Sequence, residues 1–334
     1  LCITLLFCLT ACEKPAPERR TFTNYEYFDT VTTIVGFDDQ QTFDAACALA
    51  IDVIRDYHRL CDIYNEYPGM VNVRTLNLSA GGDSVVLDER LMDVLKFGIE
   101  AYALTDGSCN IAMGAVLSLW HDCRETAESC GIAALPDQNT LETAALHCNI
   151  EDLILETNPP SESNTARITD PLMQLDLGAV AKGWACEQAA LALEKAGFTG
   201  YSISLGGNVR TIGTKADGSK WVIGIQNPDT DSDTAYVETK EIADTAMVTS
   251  GSYQRYYEVD GVQYHHIIDP DTLYPNQQLR SVTILAEDSG LADVLSTALF
   301  NMSVEEGESL IRSMDGIEAF WILKDFSTHA TLGW

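Results

Sequence analysis

Two short stretches carry side chains suited to chemistry on a phosphate: Tyr264-His265-His266-Ile267-Ile268-Asp269-Pro270 and Asp293-Val294-Leu295-Ser296-Thr297. The first sets a titratable imidazole beside an Asp-Pro turn, and histidine is the side chain that exchanges a proton near neutral pH. The second places a carboxylate and a hydroxyl four residues apart, which a helix presents on one side. A base beside a hard-cation site is what phosphate chemistry needs. Asp293 and Thr297 supply two oxygens where Mg²⁺ takes about six, so carbonyls, water or a substrate phosphate would complete the shell. Both stretches admit plainer readings. Asp269 serves equally as a turn cap with His266 a satisfied strand residue, and Thr297 as a hydroxyl bonding back along its helix. His265 competes for the role of base, and an alternating strand would send the two histidines to opposite faces.

Three glycine-bearing breaks accompany them. Asp176-Leu177-Gly178-Ala179-Val180-Ala181-Lys182-Gly183-Trp184 reads as a strand end, a tight turn and a helix start. Small residues there let main chain approach a ligand, and the helix N-terminal N–H groups suit a phosphate. Lys182 in the first helical turn opposes the macrodipole, which favours a ligand role over a decorative charge. Ser204-Leu205-Gly206-Gly207-Asn208 is a second strand-to-glycine break, and Thr249-Ser250-Gly251-Ser252-Tyr253 adds hydroxyls around a third. Each alone fits an ordinary turn as well as a ligand-facing loop.

The elements that must position these groups follow from apolar periodicity. Helices are expected over 43–62, 89–104, 135–145, 180–196, 291–302 and 304–314. Strands are expected over 30–37, 152–155, 172–177, 201–205, 221–225, 246–249, 256–259, 281–285 and 319–323. Helices and strands mix without strict alternation, so an α+β fold with antiparallel sheet is expected over a doubly wound one.

Charge narrows the partners. Twenty Lys+Arg against 50 Asp+Glu give a net charge of −30, which argues against nucleic acid and against electrostatic adhesion to anionic lipid. For a polyanionic ligand, a cation or local helix N-termini would have to offset the repulsion. The chain opens on a short apolar run ending Leu9-Thr10-Ala11-Cys12, too short to span a bilayer and similar to a bacterial lipobox, followed by a polar, Pro-bearing stretch. The expectation is an exported soluble domain, residues 21–334, anchored to the bacterial cell membrane by a lipid on Cys12 through a tether ending near residue 20. Cys47, Cys61, Cys109, Cys123, Cys130, Cys148 and Cys186 show no metal-like spacing; Cys123, Cys130 and Cys148 share one region that could hold a disulfide.

In order along the chain, these segments resemble the ApbE family, the FAD:protein FMN transferases. The family's D-L-G-G-I-A-K-G-Y stands here as Asp176 to Trp184, its G-G-N as Gly206 to Asn208, its T-S-G-x-Y as Thr249 to Tyr253. Its H-I-I-D-P is His266 to Pro270, and its A-D-x-x-x-T-A is Ala292 to Ala298. Phe28-Asp29-Thr30-Val31-Thr32 resembles the family's first flavin-contacting strand, and the stretch from Cys61 to Asn77 the segment before its second helix. The resemblance implies a T-fold-related α+β architecture with a flavin cleft between lobes. It implies that His266 is the catalytic base. A divalent cation, Mg²⁺ or alternatively Mn²⁺ or Ca²⁺, would be held by Asp293, Thr297 and a carbonyl of the Gly178-Ala179 turn, assigned to Ala179. Asp29, Thr30, Lys182, Gly206, Gly207, Asn208, Ser250, Gly251 and Tyr253 would bind FAD. The implied reaction moves FMN from FAD to a Ser or Thr hydroxyl of an acceptor and releases AMP. The implied acceptor is an exported or membrane redox subunit bearing D-x-x-[ST]-G-A-[ST]. A metal-dependent FAD pyrophosphatase and a flavin-binding lipoprotein are the alternatives. Three positions and one segment depart from the family pattern: Leu273 where Gly is usual, Trp184 for Tyr, Glu187 for Asp, and Gly107 to Ile111 for G-x-F-D. Leu273 is expected to change its turn.

Overall fold

The computed structural model describes residues 18–157 and 163–334; the lipobox-like Leu9–Cys12 stretch lies outside them. Eight strands form one antiparallel sheet, in the spatial order β1 (Arg20–Asn24), β2 (Thr32–Gly36), β6 (Tyr201–Leu205), β7 (Asn208–Ile212), β10 (Ala246–Gly251), β13 (Leu279–Ala286), β14 (Glu318–Leu323) and β15 (Thr328–Ala330). Arg20 already pairs with Gly36, so the folded body reaches one residue into the expected tether. A smaller sheet joins β3 (Val85–Val86), β5 (Thr165–Ile168) and β4 (Leu153–Glu156). Two hairpins stand apart, β8 (Trp221–Gln226) with β9 (Tyr236–Ile242) and β11 (Tyr256–Val259) with β12 (Val262–His265).

Among the described residues there are eight α-helices: α1 (Gln40–Cys61), α2 (Val73–Leu78), α3 (Glu89–Leu104), α4 (Gly114–Cys130), α5 (Gln138–Ala145), α6 (Ala181–Lys195), α7 (Ser289–Phe300) and α8 (Val304–Arg312). Local chemistry sets their starts. Asp39, Asp88, Asp137 and Asp288 each accept a main-chain N–H in the first turn of α1, α3, α5 and α7, which satisfies donors a helix leaves orphaned. Gly197, with φ +87°, follows α6 where a left-handed residue closes a helix.

The α6 helix packs on α1, α7 and β7, and α7 on β10 and β13, so these two helices cover the sheet. Their apolar residues join the largest core, with Ile54, Leu95, Leu193 and Ile203 fully buried. A smaller cluster around Trp120, Tyr257, Ile268 and Leu273 ties α4 and α5 to the β11–β12 hairpin. The main cleft opens between this lobe and the α6–α7 layer, bordered by residues of both. This is the expected α+β architecture, with a cleft between lobes.

Two expectations are corrected, and one long helix goes beyond them. The strand expected over 172–177 is an extended segment making a single bridge, Gln174 to Met113. It is pinned by Asn77, whose amide donates to Leu175 O and accepts from Leu175 N at 2.9 and 2.8 Å. The 17-residue α4 was not foreseen; it buries only Gly114, Val116 and Trp120, too few for apolar periodicity to register. Phe28 and Asp29 form no strand. They turn with φ of 56° and 50°, and strand pairing begins at Thr32.

The seven cysteines among the described residues are free thiols, so Cys123, Cys130 and Cys148 make no bridge. Burial pushes the Cys61, Cys109 and Cys186 thiols up to about 12, which makes them inert packing residues.

Candidate active site

The seam between α6 and α7 depends on a glycine. A Cβ at Gly183 would collide with Asp293 Cβ and Ser289 O, so only glycine permits the approach. In return Gly183 N donates to Asp293 Oδ2 at 2.7 Å. Asp293 is 2% exposed. Desolvation pushes its carboxyl pKa up, opposed by Lys182, the Gly183 N–H and Asn208. The Lys182 ammonium stands 4.0 Å from Asp293 Oδ2 and donates to Gly178 O at 3.4 Å. A carboxylate and a carbonyl thus converge on one cation at the cleft floor. One turn further on, Thr297 reaches the cleft itself.

Below them Glu187 is 4% exposed and takes Arg210 Nε at 3.1 Å and Ser289 N at 2.7 Å. Its pKa is raised by burial and held down by the Ser289 N–H and by Arg210. Glu187 therefore fixes the first turn of α7, which carries Asp293. Its extra methylene relative to Asp is accommodated in this contact.

The α6 N-terminus was expected to hold a phosphate, but protein acceptors take most of its donors. Gly178 N bonds Asp176 Oδ1, Val180 N and Ala181 N bond Leu177 O, and Gly183 N bonds Asp293. Anion binding at this helix end falls mainly to the Lys182 side chain.

The cleft has a volume of about 700 Å³. His266 follows β12 and lines it. Its main-chain N donates to Arg255 O at 3.2 Å, and its Nδ1 faces the same carbonyl at 3.3 Å. The carbonyl can only accept, so Nδ1 carries the hydrogen and Nε2 is left with a lone pair. Crowding by the cleft walls pushes the His266 pKa below its ordinary value, with Lys182, Arg255 and His265 adding to the effect. The ring remains open to cleft water. His265 is the opposite case: 4% exposed, bonded by Nε2 to Asn276 O at 2.7 Å. The pair point to different surroundings, and only His266 faces the cleft.

Across from His266 lies the Phe28–Asp29 turn. Phe28 N donates to His58 Nδ1 at 3.2 Å, and the Arg255 side chain donates to Asp29 O at 2.6 Å. Thr30 packs on the β6–β7 hairpin tip, where Gly206 and Gly207 both have positive φ and a Cβ on Gly206 would strike Thr30 Oγ1. A third wall is the loop after α1. Asp62, 8% exposed, accepts Tyr64 N, Asn65 N, the Asn65 amide and Tyr67 OH at 2.6 to 3.0 Å. These donors hold its carboxyl pKa low against the opposing effect of burial. The loop thus presents Tyr64 against the His121 ring, with centroids 5.4 Å apart.

A family model described as the ApbE family matches residues 28–321 of the chain. The chain belongs to the ApbE family. A protein from Treponema pallidum (strain Nichols) named FAD:protein FMN transferase is 34% identical over 269 residues, 77% of this chain and 72% of that protein. A Vibrio cholerae protein of the same name is 30% identical over 310 residues, 90% of this chain and 86% of its own. The ApbE protein from Thermotoga maritima MSB8, a crystal structure, superposes with a TM-score of 0.81 at 26% identity, covering 95% of this chain and 98% of that one.

Of the residues assigned from the ApbE resemblance, Asp29, Thr30, Ala179, Lys182, Gly206, Ser250, His266 and Thr297 border the cleft. Asp293 sits just beneath it. Asn208 is 1% exposed beside Asp293, and Gly207 turns the hairpin behind Gly206. Gly251 is buried at the end of β10, packed on the Tyr253 ring. Gly207, Asn208, Gly251 and Tyr253 therefore shape the wall rather than border the cavity. The carbonyl meeting the Lys182 ammonium is that of Gly178, one residue before the assigned Ala179. Leu273, expected to change its turn, adopts φ 62°, the left-handed conformation Gly would favour, and its buried side chain joins the Trp120 cluster. Apolar packing offsets the backbone strain. Sequence reasoning missed Arg255, Asp62 and the Tyr64–His121 pair. Arg255 lies two residues beyond the Thr249–Tyr253 motif, and its charge in so acidic a chain was the available signal.

Proposed function

We propose that this chain transfers FMN from FAD to a Ser or Thr hydroxyl of an acceptor protein and releases AMP. The observation that carries the reading is the cleft pairing of a neutral imidazole, its Nε2 lone pair free, with an ammonium and carboxylate across the floor. Membership of a family whose relatives are named FAD:protein FMN transferases supports it. In the reaction, His266 Nε2 takes the acceptor hydroxyl proton. The freed oxygen bonds to the FMN-side phosphorus, and the bond from that phosphorus to the bridging oxygen breaks. The electron pair leaves with AMP, and a phosphoester joins FMN to the acceptor. A depressed His266 pKa keeps the base unprotonated at neutral pH.

The donor set fits a divalent cation of the Mg²⁺ kind. Asp293 Oδ2 and Gly178 O already converge on a positive charge, and Thr297 Oγ1 lies one helical turn on. Among the described residues no group of three or more His, Cys, Asp or Glu gathers as a metal cage. Mg²⁺ keeps waters and binds through few carboxylates together with substrate phosphates. When bound, such an ion would offset the pyrophosphate charge that this acidic chain otherwise repels. Lys182 contributes part of that offset itself. We further infer an exported domain tethered by lipid at Cys12, on the strength of Leu9-Thr10-Ala11-Cys12. Among the described residues no helix is long and apolar enough to cross a membrane. The acceptor on this reading is an exported or membrane redox subunit with a D-x-x-[ST]-G-A-[ST] segment.

The test is chromatography of FAD incubated with the protein and Mg²⁺, with and without such a peptide. Peptide-dependent AMP release that EDTA abolishes is expected. AMP and free FMN at equal rates without peptide would make the protein a pyrophosphatase.

A further inference from the structure

Arg255 lies between β10 and the β11–β12 hairpin and borders the cleft with its side chain 41% exposed. Its hydrogen bonding is lopsided. Nη2 alone serves three acceptors: Asp29 O at 2.6 Å, Phe28 O at 3.4 Å and the Asp29 carboxylate at 3.1 Å. Among the described residues, Nε and Nη1 have no hydrogen-bond partner. Asp29 is 93% exposed, so water screens its pull on the guanidinium. What remains is a planar cation anchored at one nitrogen, on a residue that borders the cleft, with the fork that suits a phosphate. Its main chain is committed too, since Arg255 O receives both His266 N and His266 Nδ1. One residue therefore orients the base by its carbonyl and borders the same cleft with its guanidinium.

We propose that Arg255 is a further catalytic residue, whose Nε and Nη1 N–H groups bind a non-bridging oxygen of the flavin dinucleotide's diphosphate. The inference rests on the transfer reaction proposed above. As the acceptor oxygen bonds to the FMN-side phosphorus and the bridging bond breaks, negative charge spreads over the phosphoryl oxygens. His266 holds the transferred proton, and the guanidinium meets the charge with donors already in place. The anchoring at Phe28–Asp29 keeps those donors from reorganising during the step. Lys182 borders the same cleft and brings a second cation to it.

The test compares wild type with Arg255→Ala and Arg255→Lys in two arms. In the binding arm, protein fluorescence titrations give dissociation constants for FAD and for riboflavin, which lacks phosphate. Arg255→Ala should weaken FAD at least tenfold and leave riboflavin within twofold; Arg255→Lys, keeping the charge without the fork, should fall between. In the turnover arm, kcat for peptide flavinylation should fall about 10²–10³-fold in Arg255→Ala, the scale of losing one preorganised donor. Equal weakening of FAD and riboflavin would show that Arg255 only braces the Phe28–Asp29 turn and would overturn the proposal, as would wild-type turnover in Arg255→Ala. The binding arm needs no catalysis. A wild type that failed to flavinylate would refute the transferase reading, and the binding arm would still decide whether Arg255 holds the diphosphate. Should Arg255→Ala not fold, the same two arms on Arg255→Lys decide the matter.

Discussion

At the α6–α7 seam, Asp293 and Glu187 are almost completely buried, and each is held by a main-chain N–H across the helix contact as well as by a cation. At the cleft rim, His266 and Arg255 face water and are held through main-chain carbonyls, those of Arg255, Phe28 and Asp29. The seam fixes charge where a buried group without partners would cost several kcal/mol. The rim leaves one nitrogen of His266 and two of Arg255 unspent, available to a substrate. Stability and reactivity are thus placed in adjoining layers. Substitutions in the seam should act on folding first, and substitutions at the rim on chemistry first.

The largest effect on stability should come from Glu187→Ala. It leaves Arg210 with only peripheral partners and Ser289 N without an acceptor, and removing one partner of a buried pair costs about 3–5 kcal/mol. Chemical denaturation should show the unfolding free energy falling by that amount. A loss below about 1 kcal/mol would mean the seam is not held by this pair. Gly183→Ala should follow, at about 1–3 kcal/mol for forced overpacking. Because the added methyl pushes on Asp293 itself, flavin transfer should fall with stability, and a variant stable but inactive would sharpen the assignment of Asp293. Asp62→Asn belongs to the rim's supporting loop and should cost about 1–3 kcal/mol at neutral pH through its charge-assisted hydrogen bonds. The Asp62 pKa is depressed in the folded state. Its contribution is present above the ordinary carboxylate value and is lost as pH falls through the lower folded value, so wild type and variant should converge in acid. Thermal melts across pH 3 to 7 check this.

The smallest effect expected is in the pH dependence of turnover. A His266 pKa below its ordinary value means the base form is already populated at neutrality. Turnover should be flat from about pH 6.5 upward to 8 and decline only as the ring gains its proton below that, relative to the ordinary value near 6.5. A rising limb centred above pH 7 would contradict the rim's electrostatics.

The same contrast explains what could be read from the chain alone. Of the seam, Gly183 and Asp293 lie within short linear motifs, Asp176 to Trp184 and Ala292 to Ala298, because a helix turn brings neighbours in sequence to one face. Strands such as Tyr201–Leu205 and Tyr256–Val259 and the α3 helix over Glu89–Leu104 were legible for the same reason. The rim is assembled from residues 28, 62, 121, 255 and 266, and there Arg255 and His266 are held by hydrogen bonds to main-chain carbonyls. Any side chain leaves such carbonyls in place, so residue types gave no hint that Arg255 would reach Asp29 across 226 positions. The α4 helix escaped because it buries only Gly114, Val116 and Trp120. Gly183 was read as room for a ligand, whereas it makes room for α7.

The central claim is that the imidazole of His266 at this cleft drives FMN transfer. Mass spectrometry of a D-x-x-[ST]-G-A-[ST] peptide incubated with FAD, Mg²⁺ and either wild type or His266→Ala tests it most directly. The account predicts a mass gain of one FMN less water with wild type. With His266→Ala the rate of that gain should be about 10²–10⁴-fold lower, while FAD binding persists. An equal rate of peptide modification by the two proteins would remove His266 from the mechanism and contradict the account.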